Sequence, residues 1–464
     1  MRADNLWFNN LKFSLNRSKA ETDRPITTYL LAEMIHLFKQ ASIVFLVLGL
    51  LAAGAVAQTA VTAVEFPQVR QDAFDKVWNT INEKHYDPTF NGVDWKAVRE
   101  AYLPRAKSAN SDQEFHDVLR QMLGELKLSH FNIFPPPPTI AVENETGGIV
   151  GVELKWIGGL PVVYRVEPGS PAAAAQIRPG FILNKVDGKL VSETLRPLSE
   201  SLAKRKPTEM MSRVYKERTA EALLGGKPES KVALVFLDGE DKPVSVELTR
   251  YKYAGEMSQP LGHFPKQKVI FESRLLPENI GYIRFNMWVI PQAAKIRAAV
   301  REFANADGII FDLRGNPGGV GGIAGGVAGL LTDEQVSLGT MRSRSGSMSL
   351  LGYPQPNPFK GKVVVLTDHG SASTSEMFAA GIQENGRGKV VGETSAGAIL
   401  LSVFDPLPTG YMFQYAISDY KSPNNVLIEG RGVKPDREVA MTRESLLAGR
   451  DAQLDAAIAE IRKN

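Results

Sequence analysis

Apolar residues spaced three and four positions apart mark an amphipathic helix early in the chain. One face of this helix carries Val69, Ala73, Phe74, Val77, Trp78 and Ile81. We expect the helix to end near Pro88, because proline disfavours helical geometry in the residue before it. Two more helices are predicted over residues 94–102 and 112–126, the second with Asp112 at its N-cap. Residues 66–134 are therefore predicted to form a helical lobe.

Short apolar runs replace the helical spacing beyond residues 135–138, four consecutive prolines that favour an extended spacer. Strands are predicted over residues 147–154, 161–166, 181–186, 232–236 and 244–248. Glycine-containing turns at residues 158–159 and 187–188 indicate tight connections. With a helical insertion over residues 195–225, residues 139–252 are predicted to form one β-domain.

Strand, helix and strand alternate in the last part of the chain. The strands are predicted over residues 280–285, 308–313, 363–367 and 389–392, and the helices over residues 292–303 and 375–385. This alternation predicts an α/β domain, which we assign to residues 253–464. The whole chain is thus predicted to be a multidomain α+β protein, as its length of 464 residues also indicates.

One uncharged apolar run, residues 41–57, differs from the rest of the chain. Its 17 residues are marginal for a transmembrane helix, whereas the small residues Ala55-Val56-Ala57 before Gln58 are typical of a signal-peptidase site. We therefore predict that residues 1–57 hold an N-terminal extension and a cleaved signal peptide, with the true start at Met34. The protein would be periplasmic or secreted, with no membrane attachment after cleavage. An uncleaved anchor is the alternative.

Composition and charge exclude several classes of function. Hydrophobic residues make up 43% of the chain and charged residues 23%, as in ordinary globular proteins. A formal net charge of +3, without a basic run, gives no sign of nucleic-acid binding. The chain has no cysteine, which excludes disulfides, thiolate metal sites and a cysteine nucleophile. Without a His-x-x-x-His motif or an acidic metal cluster, we expect neither a metal nor another cofactor.

Residues 167–188, which begin Glu-Pro-Gly-Ser-Pro-Ala and end Val-Asp-Gly, resemble the PDZ domains found in proteases. The segment departs from them at Phe181, where such domains usually carry aspartate. The resemblance implies an open sheet edge and a loop of amides that bind an extended peptide and its terminal carboxylate. The peptide-binding residues would be Gly148, Ile149, Val150 and Gly151. A glycine-rich β-domain without a ligand is the alternative.

Three segments of the last domain resemble the C-terminal processing, or tail-specific, serine peptidases. They are Gly308 to Gly319, Thr367 to Glu376 and Val391 to Gly397, in the order and spacing of that family. The resemblance extends to residues 83–95 and to the PDZ-like segment. It implies protein or peptide substrates, a crotonase/Clp-like spiral catalytic domain and Ser373 as the nucleophile. The amides of Gly318 and Thr374 would form the oxyanion hole.

The position of Ser373 along the chain suits a nucleophile. A predicted strand ends and a helix begins there, so the hydroxyl would lie at the positive end of the helix dipole, which favours a developing oxyanion. The local alternative is that Ser373 and Glu376 form only a capping box for that helix. Gly318 and Gly319 allow the backbone to approach a substrate closely. The alternative is that these two glycines serve only to form a tight turn.

The sequence departs from the Ser-Lys branch of this family at the base that a serine nucleophile needs. Where Ser-Lys members carry the base lysine, this chain has Ala398. Residues 124–130 are similar instead to the tricorn-core branch. That similarity implies that His130 is the general base and that Ser129 and Glu429 fix its tautomer and orientation.

Several alternatives remain open at this point. His130 could be an ordinary polar residue at a helix end, Glu429 a solvated turn carboxylate, and His369, four residues before Ser373, a rival base. For the whole chain, the alternatives are a catalytically inactive peptide-binding protein with a retained protease fold, and a crotonase-like acyl-CoA enzyme. The intact Ser129, His130 and Glu429 argue against the first, and the lack of a phosphate-binding motif argues against the second. Oligomeric state is not encoded in these motifs.

Overall fold

The computed structural model describes residues 67–135, 147–260, 262–263 and 266–463. The predicted signal peptide, with its start at Met34 and its cleavage site before Gln58, lies outside the described residues. The proline run from Pro136 onward does so too. In the part of the chain that is described, no helix is both long enough and apolar enough to cross a membrane.

Three helices and a short strand open the described chain. They are α1 Gln68–Lys84, α2 Trp95–Lys107, α3 Asp112–Gly124 and β1 Asn132–Phe134, with a 3-10 turn at Phe90–Gly92. Their apolar faces share one core, in which Phe74, Trp95 and Phe115 are almost fully buried. Phe413 and Tyr415 from late in the chain enter the same core. The helical segment is therefore packed against the C-terminal half of the chain.

The boundaries of two of these helices differ from the prediction. α2 does not end at residue 102, because Ala106 is fully buried and its packing offsets the missing N–H of Pro104. The N-cap of α3 is Ser111 rather than Asp112, since the Ser111 hydroxyl accepts the amide hydrogen of Glu114 at 3.1 Å. α3 ends at Gly124, short of the predicted residue 126.

An antiparallel sheet with an inserted group of helices follows. The strands are β2 Gly148–Ile149, β3 Val152–Ile157, β4 Leu160–Val166, β5 Ile182–Val186, β6 Lys189–Leu190, β7 Lys231–Leu237, β8 Pro243–Thr249 and β9 Tyr251–Lys252. The helices are α4 Pro171–Ala174, α5 Val191–Thr194, α6 Arg196–Arg205 and α7 Glu209–Leu224. The main sheet has the order β3-β4-β5-β7-β8, β6 pairs with β5, and β2 pairs with β9.

Most sequence predictions for this sheet are confirmed, with one exception. The turns at residues 158–159 and 187–188 have positive φ angles, as tight hairpin turns require. The helical insertion predicted over residues 195–225 is present as α6 and α7. The single strand predicted over residues 147–154 is wrong. It is interrupted after Ile149, because Gly151 has a φ of +81° and leaves the extended conformation.

Ten strands and five helices complete the described chain. The strands are β10 Phe271–Leu276, β11 Ile280–Phe285, β12 Gly308–Asp312, β13 Val336–Ser343, β14 Gly346–Gly352, β15 Lys362–Thr367, β16 Lys389–Gly392, β17 Leu401–Pro406, β18 Met412–Lys421 and β19 Arg437–Glu438. The helices are α8 Ile290–Glu302, α9 Gly321–Ala328, α10 Thr374–Glu384, α11 Arg443–Leu447 and α12 Ala452–Arg462.

Two sheets are built from these strands. The first has the order β10-β11-β12-β15-β16-β19 and is parallel except for β10, and the second has the order β1-β18-β13-β14, with β17 on β18. The predicted strands and helices of this region are confirmed to within two residues, whereas β10 and the hairpins β13-β14 and β17-β18 were not predicted. The described chain is therefore a mixed α/β protein.

The parallel sheet brings three loops to one edge. β12, β15 and β16 are adjacent and parallel, so their carboxyl ends lie side by side. Gly318, Ser373 and Ala398 each follow one of these ends in the chain. Functional residues of open α/β sheets commonly lie beyond the carboxyl ends of the strands. The three motif segments recognised in the sequence therefore meet at the edge where a site is expected.

Candidate active site

Ser373 lies between β15 and α10 in a conformation that non-glycine residues rarely adopt. It is the N-cap residue of α10, with φ 54° and ψ −118°. Ser373 and Glu376 have the reciprocal geometry of a capping box, so the capping role considered as the local alternative is present. An ordinary N-cap residue has extended dihedral angles, and strained backbone of this kind clusters at functional sites. Helix capping alone therefore leaves the strain at Ser373 unexplained.

Gly318 packs directly against Ser373. A Cβ atom added to Gly318 would lie 2.6 Å from the Cβ of Ser373 and 2.8 Å from the amide nitrogen of Thr374. The two amides predicted to form an oxyanion hole are thus neighbours, but their partners differ. The Gly318 amide donates to Asn316 Oδ1 at 3.0 Å, whereas the Thr374 amide donates to no described residue. Of these two amides, the Thr374 amide alone has no acceptor among the described residues and is free for an oxyanion.

Ser129, His130 and Glu429 form a hydrogen-bonded group. The amide and the hydroxyl of Ser129 both donate to Glu429, at 2.7 Å to Oε1 and 2.9 Å to Oε2. The same hydroxyl oxygen lies 2.7 Å from Nδ1 of His130, whose φ of 61° is also unusual. Glu429 is 9% exposed and so is not a solvated turn carboxylate. The structure thus brings together three residues that only the family resemblance had associated.

The Ser129 hydroxyl determines which nitrogen of His130 carries the proton. The hydroxyl has one proton and donates it to Glu429, so its oxygen accepts from Nδ1–H of His130. Nε2 then has the free lone pair that a general base needs. Burial lowers the pKa of His130 to about 4, which keeps the ring neutral at pH 7. Burial also raises the pKa of Glu429, although hydrogen bonds from Ser129 and backbone amides act against this.

A short segment after β16 connects this group to Ser373. The carbonyl oxygen of Ala398 accepts the amide hydrogen of Ser373 at 2.8 Å, and the next amide, of Ile399, donates to Glu429 Oε2 at 3.0 Å. Ala398, which the sequence resemblance aligns with the base lysine of Ser-Lys enzymes, is buried. Within the described residues, no hydrogen bond joins the Ser373 hydroxyl to His130. The two are linked through the backbone of this segment.

Comparison with known families identifies the enzyme class to which this arrangement belongs. The sequence profile of peptidase family S41 matches residues 279–439, and that of the tricorn protease C1 domain matches residues 66–124. This chain carries a family S41 peptidase domain. These matches support a serine-type peptidase, in agreement with the motifs recognised in the sequence.

Curated proteins and solved structures that resemble this chain match most of its length. A carboxyl-terminal-processing protease of Picosynechococcus is 27% identical over 381 residues, which are 80% of this chain and 83% of that protein. A putative tricorn protease homolog 2 of Streptomyces coelicolor is 27% identical over 421 residues, 84% of this chain and 32% of that protein. The solved structure of a photosystem II D1 C-terminal processing protease has a TM-score of 0.55 at 23% identity, over 85% of this chain and 98% of that one. The multidomain fold is therefore similar to that of C-terminal processing proteases.

His369 of the S41 domain lies in a buried ionic cluster. Its Nε2 is 2.7 Å from Glu217 Oε2, and its Nδ1 is 3.5 Å from Glu393 Oε2, a salt-bridge distance rather than a hydrogen bond. Burial acts to lower the pKa of His369, but the two carboxylates outweigh it and raise the pKa above the usual value. A ring that binds its proton more tightly, with both nitrogens facing carboxylates, is poorly suited to deprotonate Ser373.

The ionic cluster joins the antiparallel sheet to the loop that precedes Ser373. Lys155 of β3 lies 2.6 Å from Asp368 Oδ2 and 3.4 Å from Glu217 Oε1. Asp368 also accepts the amide hydrogens of Gly315 and Gly370, at 2.8 and 2.9 Å. Buried charges require such partners, because removing one leaves the others unpaired. The relative placement of the two sheets near the site thus depends on side chains from both.

Carboxylates from α7 cover the free edge of the antiparallel sheet. β3 is the edge strand, and its amides at Leu154 and Trp156 donate to Glu221 at 3.0 Å and to Glu217 at 2.9 Å. Alternate amides of an edge strand are the groups that pair with an added peptide strand. In this structure they are already hydrogen-bonded to side chains of the same chain.

The four residues predicted to bind a peptide terminus differ in the availability of their amides. The Gly148 amide donates to the carbonyl of Gly226 at 2.5 Å, and Ile149 pairs with β9. The amides of Val150 and Gly151 donate to no described residue. Of the predicted loop, therefore, residues 150–151 offer two consecutive free amides.

Two residues that hold the glycine loop were missed by sequence reasoning. Asn316 donates from Nδ2 to the carbonyl of Phe285 at 2.9 Å while its Oδ1 accepts from Gly318. Trp288 donates from its backbone amide to the carbonyl of Gly318 at 2.8 Å and from Nε1 to the hydroxyl of Ser375 at 2.9 Å. Asn316 lies within the recognised glycine-rich segment, which was a usable signal, whereas a single tryptophan gives none.

Proposed function

We propose that this chain is a serine endopeptidase of the Ser-His branch of its family, with Ser373 as nucleophile and His130 as general base. The observation that supports this best is the hydrogen-bonded chain from Glu429 through the Ser129 hydroxyl to Nδ1 of His130. That chain leaves Nε2 of His130 able to accept a proton. Ala398, at the position of the lysine in the other branch, offers no base.

In the proposed reaction, the Ser373 hydroxyl attacks the carbonyl carbon of a peptide bond and its proton passes to Nε2 of His130. The amide of Thr374 binds the oxyanion, joined by the amide of Gly318 once that amide leaves Asn316. The imidazolium protonates the leaving amine as the C–N bond breaks. A water molecule, deprotonated by the same ring, then hydrolyses the acyl-enzyme and Ser373 regains its proton.

Substrate binding is expected to complete the contact between the two catalytic side chains. Ser373 and His130 have no direct hydrogen bond in the resting structure, and such bonds often tighten only when substrate is bound. His130 follows α3, whereas Ser373 follows β15. An approach of the helical segment to the parallel sheet would therefore bring Nε2 to the hydroxyl.

Cleavage of an unstructured peptide by matched variants tests this assignment. Wild type is expected to cleave the peptide, and Ser373→Ala and His130→Gln are expected not to. His369→Gln should keep most of the activity, because that ring faces Glu217 and Glu393. Activity lost in His369→Gln and kept in His130→Gln would contradict the assignment. A folded wild type that cleaves no peptide and reacts with no serine-directed probe would favour the inactive peptide-binding protein.

We propose in addition that residues 139–252 act as a PDZ-like domain that binds the C-terminal tail of the substrate. Residues 66–134 would then be the helical lobe and residues 253–464 a crotonase-like catalytic domain. Two observations support tail recognition. The amides of residues 150–151 are free among the described residues, and relatives are named for carboxyl-terminal processing.

Tail binding along β3 requires that a peptide displace the carboxylates on that edge. The peptide carbonyls would take the amides of Leu154 and Trp156 from Glu221 and Glu217. Two peptides of one sequence, with a free and an amidated C-terminus, test the proposal. We expect a lower kcat/KM for the amidated peptide, because its terminus carries no charge for the loop amides. Equal kcat/KM for both peptides would contradict tail recognition and leave the Ser-His assignment untouched.

Export to the periplasm or the exterior is also a proposal. It is based on the apolar run at residues 41–57 and on the small residues before Gln58. The intact mass of the protein recovered from its producing cell should correspond to a chain that begins at Gln58. A mature chain that begins elsewhere would contradict the predicted cleavage site.

A further inference from the structure

Glu376 is a buried carboxylate with four hydrogen-bond donors around it. Its Oε1 accepts from the hydroxyl of Ser395 at 2.5 Å and from the amide of Gly397 at 2.7 Å. Its Oε2 accepts from the amides of Ser373 and Ala398, each at 3.0 Å. The side chain is fully buried, and in the described part of the chain only neutral donors, and no basic residue, act on it. Both carboxylate oxygens are therefore held by neutral donors.

A helix cap accounts for one of these four hydrogen bonds. In a capping box, the glutamate at the third helical position accepts the amide hydrogen of the N-cap residue, which is Ser373 here. The other three donors, at Ser395, Gly397 and Ala398, belong to the loop after β16. Glu376 therefore fastens a second loop to the residue that carries the nucleophile.

A second buried carboxylate holds the continuation of the same loop. The amide of Ile399 donates to Glu429 at 3.0 Å, and the amide of Leu400 is also directed at Glu429. Four consecutive amides, from Gly397 to Leu400, are thus divided between Glu376 and Glu429. Glu376 also holds the amide of Ser373, and Glu429 also holds Ser129 beside His130. The loop is consequently fixed at one end to the nucleophile and at the other to the base.

We propose that Glu376 is a positioning residue that sets the separation of Ser373 from His130 by holding this loop against the nucleophile. The proposal rests on the Ser-His function proposed above. It explains why the chain keeps a buried carboxylate where a helix cap alone would need only one acceptor. It also gives the loop that carries lysine in the Ser-Lys branch a structural role here, as the bridge between the two catalytic side chains.

Glutamine cannot replace Glu376 in this role. Its amide has one oxygen and one NH2 group, so it can accept from the pair of donors on one side only. The NH2 group would face the other pair, either Ser395 with Gly397 or Ser373 with Ala398. Facing Ser373 and Ala398, the NH2 group would oppose two backbone amides, and facing the other pair it would oppose the Gly397 amide even if the Ser395 hydroxyl turned to accept from it. The loop should move away from the nucleophile by a fraction of an ångström or more.

The test compares Glu376→Gln with Glu384→Gln, the same substitution at the other end of α10. Glu384 accepts from the amide of Asn424 at 2.7 Å and touches neither loop of the site, so its variant is the matched control. We expect Glu376→Gln to lower kcat on an unstructured peptide by about 100-fold with little change in KM, as a misplacement of about 1 Å does. The rate at which a fluorophosphonate labels the serine should fall in parallel. Glu384→Gln should match wild type in both.

The pH dependence of the wild-type labelling rate gives a second readout. A merely structural role of Glu376 would leave that rate independent of the protonation of Glu376. Burial raises the pKa of Glu376 to about 7, although hydrogen bonds from Ser395 and the backbone amides act to lower it. Protonation gives one oxygen a hydrogen that opposes a donor, so the labelling rate should decline below about pH 7. His130, with its pKa of about 4, does not titrate in that range, but His369, whose pKa Glu217 and Glu393 raise against the effect of burial, does. A decline caused by His369 would persist in Glu376→Gln, whereas the decline caused by Glu376 should be absent there.

The outcomes separate this inference from the proposed function. A wild type that is neither labelled nor active contradicts the proposed function itself. A labelled wild type, together with a folded Glu376→Gln variant that keeps its labelling rate and kcat, overturns the positioning role. If Glu376→Gln does not fold, the wild type decides. A wild-type labelling rate that stays the same between about pH 8 and about pH 6 then overturns the proposal.

Discussion

Replacement of Glu429 by glutamine should slow catalysis while leaving substrate binding almost unchanged. The carboxylate accepts from the Ser129 amide at 2.7 Å, from the Ser129 hydroxyl at 2.9 Å and from the Ile399 amide at 3.0 Å. The least disruptive glutamine rotamer places its oxygen at Oε2, which keeps the last two bonds. Its NH2 group then opposes the Ser129 amide, and the negative charge near His130 is lost.

The magnitude follows from these two losses. One buried amide without an acceptor costs about 1–3 kcal/mol of folding free energy. Catalysis loses the charge that stabilises the imidazolium, and the analogous Asp-to-Asn change in a Ser-His-Asp triad lowers kcat by about 10⁴-fold. The carboxylate here acts through an intervening serine, which keeps the His130 tautomer. We therefore expect a smaller fall in kcat, of about 100-fold, which is about 2.7 kcal/mol.

Steady-state cleavage of one peptide measures kcat and KM, and urea unfolding measures stability separately. Glu438→Gln, at an exposed position, is the control and should behave as wild type. In the double variant with Ser129→Ala, the loss should be much less than the product of the single losses, because both residues act on His130 along one path. A folded Glu429→Gln enzyme with kcat within about three-fold of wild type would refute the proposed relay.

Three further results are expected. The free energy of unfolding should fall more steeply between pH 6.5 and pH 4 in wild type than in His130→Gln, because the lowered pKa means that the unfolded state binds the proton first. Urea titrations at several pH values check this. Gly318→Ala should lower kcat by at least about 100-fold, since the added Cβ would lie 2.6 Å from the Cβ of Ser373 at a φ of +98°; unchanged peptide cleavage would contradict the packing. Glu221→Gln should be at least as stable as wild type at pH 8 and lose less stability between pH 4.5 and pH 8. Burial and a neighbouring carboxylate raise the pKa of Glu221 to about 7, so ionisation weakens the fold above that pH, whereas glutamine still accepts from Leu154. Thermal unfolding at pH 4.5 and pH 8 checks this, and a larger loss of stability in the variant than in wild type would contradict it.

The sequence was sufficient for the parts of the site that depend on local pattern. Alternating strands and helices predicted the α/β region, and the motifs at Gly318, Ser373 and Ala398 follow strands that prove to be adjacent and parallel. Parallel neighbours place their carboxyl ends together, so three sequence segments were enough to predict one edge. The helix after Ser373 was likewise predicted to within one residue.

Contacts between distant segments were beyond the reach of local pattern. Ser129 and Glu429 are 300 residues apart, and only the family resemblance associated them before the structure did. Nothing in the periodicity of α7 indicates that Glu217 and Glu221 hydrogen-bond to strand β3. Glu376 was recognised as a capping residue because its partner Ser373 is only three residues away. Its three other donors lie 19 to 22 residues further along the chain, in the loop after β16.

Covalent labelling with a fluorophosphonate, followed by mass spectrometry of the labelled peptide, decides whether Ser373 is a nucleophile activated by His130. We expect one phosphonylated residue, Ser373, in wild type. We expect no labelling in Ser373→Ala and labelling slowed by at least about 100-fold in His130→Gln. Labelling at another serine, or equal labelling rates in wild type and His130→Gln, would contradict it.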